Sequence, residues 1–245
     1  MYPGSRQNSG AYDRSATMFS PDGRLYQVEY AAKIIERGTI GLGIVYKNGI
    51  LFGADKMISS KLIVPESIEK LFKIDDHIAA VSSGLVGDAR RIVQAARQKS
   101  QENLMYYDEP IHVETLCKEI SSLNQLFTQY GGMRPFGVSF IIGGVDETGF
   151  RLFETEPSGA LAEYTAIAIG AGRKEAMDVF EKDYSQGLSL EEALKLMVRG
   201  VERSLPKNQK LNVPSMDFAV VDKENMFRVL EKNEVKSILS GGSKQ

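Results

Sequence analysis

The order of strand-like and helix-like segments is the feature that most constrains the fold of this chain. Residues 39–55 form two apolar runs around the turn Lys47-Asn48-Gly49, and residues 71–82 form a second pair around Asp75-Asp76-His77. Short runs separated by such turns are typical of antiparallel hairpins. The sequence therefore predicts two hairpins in its first third.

The apolar period then changes to that of helices. Apolar residues recur at helical spacing over residues 89–96 and again over 113–127, which predicts two consecutive helices. In the second half strands resume and two further helices follow, and Ser189 with Glu192 forms a capping box at the start of the later helix. The remaining predicted elements are strands at 137–144, 150–154, 160–169, 217–222 and 226–229 and a short helix at 231–239.

Strand pairs that alternate with helix pairs favour two stacked sheets with helices on both outer faces. With 245 residues and 42% hydrophobic content, the chain can bury one large core. We therefore expect an α/β (α+β) fold with a single layered domain over residues 13–239. Residues 1–12 and 240–245 are rich in small and polar side chains, and we expect both segments to be mobile.

Composition excludes several classes of function. The net charge is −2, and no run of Lys and Arg forms a basic patch, so nucleic acid is not an expected partner. The start of the chain lacks the apolar core of a secretion signal, and no apolar run is long enough to cross a bilayer. We therefore expect a cytoplasmic protein without a membrane partner.

Few residues could hold a metal or a cofactor. Cys117 lies in an apolar helical stripe and is expected in the core, while His77 and His112 are expected at the surface. The segment Gly170-Ala-Gly-Arg173 resembles a phosphate loop, but it lacks the third glycine and is better explained as a tight turn between strand and helix. The sequence predicts no metal site and no cofactor.

The segment at residues 19–31, which reads FSPDGRLYQVEYA, predicts a helix near the amino terminus. Ser20 can cap the helix with its hydroxyl, and Pro21 suits the first helical position because no amide donor is needed there. Four apolar residues then fall on one face of the predicted helix: Leu25, Val28, Ala32 and Ile35.

This contiguous string closely resembles the amino-terminal signature of proteasome α-subunits. The resemblance extends from about Tyr12 to Leu239 and includes these further segments: Tyr12-Asp13-Arg14, Ser67-Ile-Glu-Lys70, Ser83-Gly84-Leu85 and residues 130–135. It implies the four-layer αββα sandwich of the amino-terminal-nucleophile hydrolases, with an extra amino-terminal helix.

The same resemblance raises the alternative of a catalytic β-type threonine peptidase. In such subunits a propeptide is cut at a Gly-Thr bond, and the freed threonine is the nucleophile. Gly38-Thr39 stands at the matching position, and Asp55 and Lys70 match the acid and the lysine that flank that nucleophile.

Other residues oppose catalysis. Ile40 and Ala171 replace a threonine and a serine of the β pattern, and residues 205–216 lack its aspartate. If the amphipathic helix before Thr39 is retained, the Thr39 nitrogen is an amide and its hydroxyl has no positioned base. The non-catalytic interpretation is therefore favoured, and no catalytic residue is predicted.

As an α-type chain, the protein would form a heptameric outer ring and gate entry to a proteolytic chamber. Its implied partners are six further α copies, a proteasome β-subunit ring, the carboxy-terminal residues of a regulatory ATPase ring, and unfolded protein substrates. The complex would act in ATP-dependent and ubiquitin-like-tag-dependent protein degradation. The sequence is compatible with an archaeal particle that has one type of α chain.

The resemblance also implies roles for individual residues. The gate residues are Tyr12, Asp13, Pro21 and Tyr30, and the activator-binding residues are Lys70, Gly84, Leu85 and Glu29. The residues that narrow the axial channel are Tyr130, Gly131, Gly132 and Met133.

Overall fold

The structure is a computed structural model that describes residues 15–57, 60, 62–206, 211, 213–224 and 226–240. Tyr12, Asp13 and the whole of the predicted gating segment 1–12 lie outside these residues, as does most of the predicted tail 240–245.

Six α-helices and ten β-strands occur in the described part of the chain. The helices are α1 (Tyr26–Glu36), α2 (Val86–Tyr107), α3 (Val113–Leu126), α4 (Arg173–Asp183), α5 (Leu190–Ser204) and α6 (Lys232–Leu239). The first five strands are β1 (Gly41–Tyr46), β2 (Gly49–Asp55), β3 (Leu71–Asp75), β4 (Ile78–Gly84) and β5 (Val138–Asp146). The others are β6 (Gly149–Thr155), β7 (Leu161–Glu163), β8 (Ala166–Ile169), β9 (Met216–Asp222) and β10 (Met226–Val229).

The strands form two antiparallel five-stranded sheets. The first sheet has the order β10-β9-β2-β1-β8, and the second has the order β3-β4-β5-β6-β7. The predicted first hairpin is confirmed, because Tyr46 pairs with Gly49 across a two-residue turn. The predicted capping box is also confirmed, since the Ser189 hydroxyl accepts from the Glu192 amide and the Glu192 carboxylate accepts from the Ser189 amide.

The core is divided into three apolar layers. Phe52, Val81, Ile141 and Ile169 are among the side chains buried between the two sheets. The outer face of the first sheet is covered by α4, α5 and α6, and that of the second sheet by α2 and α3. The predicted four-layer αββα arrangement is therefore confirmed, and helix α1 packs in addition against β4 and β5.

The single strand predicted at residues 160–169 is wrong. The chain passes here from one sheet to the other, so β7 pairs with β6 in the second sheet and β8 pairs with β1 in the first. At the crossing, the Tyr164 amide donates to Leu152 O, whereas Thr165 O accepts from the Val45 amide, both at 2.8 Å. Both β7 and β8 are strands, so the strand-like pattern in the sequence is continuous although the two strands belong to different sheets.

Two details of the predicted first helix are also wrong. Ser20 does not cap α1: its hydroxyl accepts from the Arg24 amide and closes a turn that ends before the helix begins at Tyr26. Ala31, not Ala32, faces the interior together with Ile35. The turn places the first helical residue at Tyr26, and the packing of the helix against β4 and β5 sets which alanine lies on the buried face.

The prediction for the histidines is correct for one of the two. The His112 side chain is about half exposed, but His77 is buried, and its Nε2 lies 2.8 Å from Ile111 O. The loop before α3 covers the turn between β3 and β4, and this covering explains the burial of His77. Cys117 is buried as predicted, and burial raises the pKa of its thiol far above the usual range.

Candidate functional site

Thr39 occupies the junction between α1 and β1, and the chain before it is built into the fold. The Gly38 amide donates to Ile35 O at 2.8 Å, which closes the end of the helix, and Gly38 O accepts from the Ala171 amide at 2.8 Å. Ala31 and Ile35 of the helix are buried. The segment ahead of Thr39 therefore contributes to the packed structure.

The side chain of Lys70 reaches this junction from the end of the loop that precedes β3. Its Nζ lies 2.8 Å from Thr39 O, 3.1 Å from Asp55 O and 3.4 Å from Ile40 O, and it also contacts the Thr39 hydroxyl at short range. Lys70 is only 8% exposed. The structure thus brings together Thr39, Asp55 and Lys70, as the sequence comparison with a nucleophile site predicted.

The electrostatics of this site depend on burial. Removal from water lowers the pKa of Lys70 to about 8, and the nearby negative charge of Asp55 opposes that shift. The Asp55 carboxylate itself accepts from the Met57 amide at 3.0 Å and from the Ser215 hydroxyl at 3.3 Å. At neutral pH most Lys70 side chains are therefore protonated, and backbone oxygen atoms hold the ammonium.

Chemically, the site combines a hydroxyl and an amine but lacks the free amino group of a terminal threonine. The Lys70 amine is the group that contacts the Thr39 hydroxyl, and at neutral pH it is protonated. A charged ammonium donates to the hydroxyl and does not take its proton. In the continuous chain, the Thr39 nitrogen is part of the peptide bond to Gly38.

The Ser83 hydroxyl is a second contact that the sequence did not predict. Ser83 Oγ donates to Thr39 O at 3.0 Å and lies 3.4 Å from Ile35 O. It therefore links the last turn of α1 with Thr39, two residues before β1. The signal for Ser83 in the sequence is its position next to Gly84 and Leu85, in a segment that resembles proteasome α-subunits.

Three of the four predicted activator-binding residues lie around this junction. Lys70 O accepts from the Ser82 amide at 3.1 Å, which brings Lys70 to the end of β4, where Gly84 and Leu85 follow. Gly84 has φ +120°, and a Cβ there would come within 2.2 Å of Gly137 O, so the position requires glycine.

The fourth predicted activator-binding residue, Glu29, lies in the first turn of α1. Its carboxylate pairs with the Arg24 guanidinium, which lowers the pKa of Glu29 and also stacks over the Tyr26 ring at 5.0 Å. Glu29 therefore lies at the opposite end of the helix from Thr39.

The described gate residues lie at the start of α1. Pro21 is exposed in the turn before the helix. The Tyr30 ring stacks on Tyr26 with centroids 6.5 Å apart, and the Lys33 ammonium lies 5.5 Å from the Tyr30 centroid. The placement of Tyr12 and Asp13 relative to these residues lies outside the described chain.

The predicted channel loop connects α3 with β5. Tyr130, Gly131, Gly132 and Met133 are all exposed. Arg134 next to them donates to both carboxylate oxygens of Asp88, at 2.7 and 2.8 Å, and Asp88 also accepts from the Gly137 amide at 2.8 Å. These bonds lower the pKa of Asp88 and fix the base of the loop on α2.

A large cavity lies beside α1 and α4. It has a volume of about 770 Å³, and it is lined in part by the buried Glu154 carboxylate, which accepts from both Arg173 amino groups.

No group of three or more metal-ligating side chains occurs among the described residues. None of the described helices combines the length and apolar character needed to cross a membrane.

Comparison with known proteins identifies the family of this fold. Residues 35–221 match the protein family described as proteasome subunit, and residues 12–33 match the N-terminal signature of A-type proteasome subunits. The first match alone covers more than half of the chain. The chain therefore belongs to the proteasome subunit family.

Similar proteins place it within that family. A proteasome alpha subunit from Methanopyrus kandleri is 50% identical and matches over 93% of this chain and 92% of its own length. The alpha subunit from Methanothermobacter thermautotrophicus is also 50% identical and matches over 93% of this chain and 92% of its own length. The alpha subunit from Methanocaldococcus jannaschii is 45% identical and matches over 94% of this chain and 87% of its own length. Together with the amino-terminal signature, these similarities show that the chain is of the proteasome α type, as residues 19–31 predicted.

Proposed function

We propose that this chain is a non-catalytic α-ring subunit that controls entry to a proteasome core particle. The observation that carries the proposal is the junction at Thr39. The preceding helix is packed into the fold, and the Gly38 carbonyl is bonded to Ala171. This packing supports retention of the segment, and in the retained chain the Thr39 nitrogen is acylated. Without a free amine, the threonine lacks the general base that amino-terminal threonine peptidases use.

The assembly that we propose is a ring of seven copies stacked on a ring of β-subunits, located in the cytoplasm. Head-to-tail contacts that close by rotation produce such a ring. Residues 1–12, which include Tyr12, would form the gate together with Asp13, Pro21 and Tyr30. The exposed loop formed by Tyr130, Gly131, Gly132 and Met133 would narrow the channel so that only unfolded chains pass.

We also propose that a regulatory ATPase ring docks through its carboxy-terminal residues near Lys70, Gly84 and Leu85, with Glu29 of α1 contributing. The buried ammonium of Lys70 supports this role, because a positive charge held among backbone oxygens favours a carboxylate that approaches it. The proximity of Ser83, Gly84 and Leu85 supplies backbone and apolar surface at the same place.

The non-catalytic role is tested on the chain purified from a particle assembled with its β partner. We expect an intact mass that includes Met1 to Gly38, and we expect an inhibitor that reacts with amino-terminal threonine to label only the β chain. The isolated α chain should not hydrolyse peptides. A product that begins at Thr39, or inhibitor bound to it, would instead support the alternative of a β-type threonine peptidase.

A further inference from the structure

The Lys70 ammonium has more acceptors around it than it has protons. An ammonium carries three N–H donors. Four oxygen atoms surround Lys70 Nζ: the carbonyls of Thr39, Ile40 and Asp55 and the hydroxyl of Thr39. An additional acceptor can therefore bond to the ammonium only by displacing one of these four.

The displaced acceptor would belong to Thr39. Two of the four acceptors belong to this one residue, and Thr39 is half-buried, whereas Ile40 is buried. Thr39 directly follows Gly38, whose amide closes α1 through Ile35 O. A change in the contact between Lys70 and Thr39 therefore acts on the end of the helix.

We propose that the contact between Lys70 and Thr39 is a latch that holds the junction of α1 and β1, and that a docking carboxylate releases it by competing for the same ammonium. This inference rests on the docking function proposed above. It makes Thr39 a positioning residue: its hydroxyl and carbonyl hold Lys70 in the resting chain and are the groups that the carboxylate replaces.

Helix α1 provides the connection from the latch to the gate. The helix has 11 residues and is therefore about 16 Å long. Thr39 lies just beyond its carboxyl end, while Tyr26, Glu29 and Tyr30 lie in its first turns. A shift at the junction is thus transmitted to the segment that precedes the helix.

Ser83 limits how far the junction moves. Its hydroxyl donates to Thr39 O and lies near Ile35 O, so these two oxygens keep a partner when Lys70 turns toward a carboxylate. Release of the latch therefore loosens the junction without leaving the Thr39 carbonyl unpaired.

The test uses the particle assembled with its β partner and measures the concentration of its regulatory ATPase ring that half-maximally stimulates hydrolysis of a short fluorogenic peptide. Thr39→Val removes the hydroxyl that competes with the carboxylate and keeps the three carbonyl acceptors. We expect the half-maximal concentration to fall by about threefold or more, because one competing hydrogen bond is lost. Thr39→Ser keeps the hydroxyl and should behave as the wild type.

Two controls accompany this variant. Thr128→Val removes another buried hydroxyl, which donates to Gln125 O at 2.7 Å in a different layer, and should leave the half-maximal concentration unchanged. Lys70→Met should abolish stimulation, whereas Lys73→Met should not, because Lys73 is half exposed and pairs only at the surface with Asp76.

The possible results separate the latch from the docking function. If Thr39→Val does not lower the half-maximal concentration while Lys70→Met still abolishes stimulation, the latch is wrong and the docking role of Lys70 remains. If the ATPase ring stimulates the Lys70→Met particle as strongly as the wild-type particle, the docking role of Lys70 is wrong and the latch is wrong as well.

Ser83→Ala provides a second test, which can be carried out even if the Thr39→Val chain does not assemble into the particle. Loss of the Ser83 hydroxyl leaves Lys70 as the side chain that bonds to the Thr39 carbonyl. Hydrolysis without the ATPase ring should therefore rise by about twofold or more, since the resting gate is less well held. Unchanged hydrolysis in this variant would overturn the role of Ser83 as a second restraint on the junction.

Discussion

At the scale of single residues, Lys70 has the environment that most departs from the ordinary. Buried lysines lose favourable hydration, and here three backbone carbonyls and one hydroxyl replace water. The pKa is still lowered to about 8 from the usual value of 10.5. About half of the Lys70 side chains are therefore charged in mildly alkaline solution near pH 8.

This shift predicts a pH dependence of activator docking. A carboxylate is attracted to the ammonium but not to the neutral amine, and the native chain loses this proton as the pH rises through about 8. We expect the half-maximal concentration of the ATPase ring to rise about tenfold between pH 7 and pH 9, which is the change in the charged fraction for that pKa. The measurement is the ratio of stimulated to basal peptide hydrolysis at each pH.

Lys70→Arg is the matched control for this prediction. A guanidinium remains charged over the whole range, so any stimulation that this variant retains should be nearly constant from pH 7 to pH 9. An equal loss in the variant and the wild type would assign the pH effect to other groups.

How far the sequence predicts single residues depends on what their side chains contact. The proximity of Lys70 and Thr39 follows from the resemblance to a nucleophile site, because both positions are part of a recognisable pattern. The contacts of Ser83 and the burial of His77 were not predicted, since each depends on a distant carbonyl, Thr39 O or Ile111 O, that is adjacent only after folding.

At the scale of elements, the junction between α1 and β1 is tightly packed. A Cβ at Gly38 would lie 2.5 Å from Ser83 Oγ and 2.7 Å from the Gly84 nitrogen. The serine hydroxyl can rotate away, but the backbone nitrogen cannot move without shifting β4. This packing holds the end of the helix against the end of β4.

We therefore expect Gly38→Ala to lower the free energy of unfolding by about 1–3 kcal/mol, the usual cost of forcing extra volume into a packed site. Gly87→Ala is the control, because a Cβ at this helical position meets nothing within 4 Å and alanine favours helix, so stability should rise by about 0.5 kcal/mol. Urea unfolding of the purified chains at one fixed protein concentration measures both effects. A Gly38→Ala variant as stable as the wild type would show that the junction adapts easily.

Most elements could be predicted because their apolar period is clear and their turns have characteristic residues. Helix α5 begins at its capping box, and β1 and β2 meet at the predicted turn. The split between β7 and β8 could not be predicted, because only the two residues Tyr164 and Thr165 separate the strands and they bond to different sheets. Sequence periodicity reports local conformation and does not report which sheet a strand joins.

At the scale of the whole molecule, the junction at Thr39 lies between the packed sandwich and the amino-terminal segment, and helix α1 itself packs against β4 and β5. Val81 and Ile169 are buried between the sheets and lie close to Ser83 and Gly170 along the chain. The junction at Thr39 is thus fixed to the core on one side and joined through α1 to the amino-terminal segment on the other. In the proposed gating function, the segment would move while the sandwich keeps its structure.

Removal of residues 1–12 tests the gate in the assembled particle. If the open arrangement accounts for at most about 10% of the resting population, the truncated particle should hydrolyse short peptides about tenfold faster than the wild type, because entry no longer requires opening. Folded proteins should remain intact, since the loop at Tyr130 to Met133 and the ring itself are unchanged. Removal of residues 241–245 is the control and should leave both rates unchanged. Equal peptide hydrolysis before and after the amino-terminal truncation would contradict a gate formed by this segment.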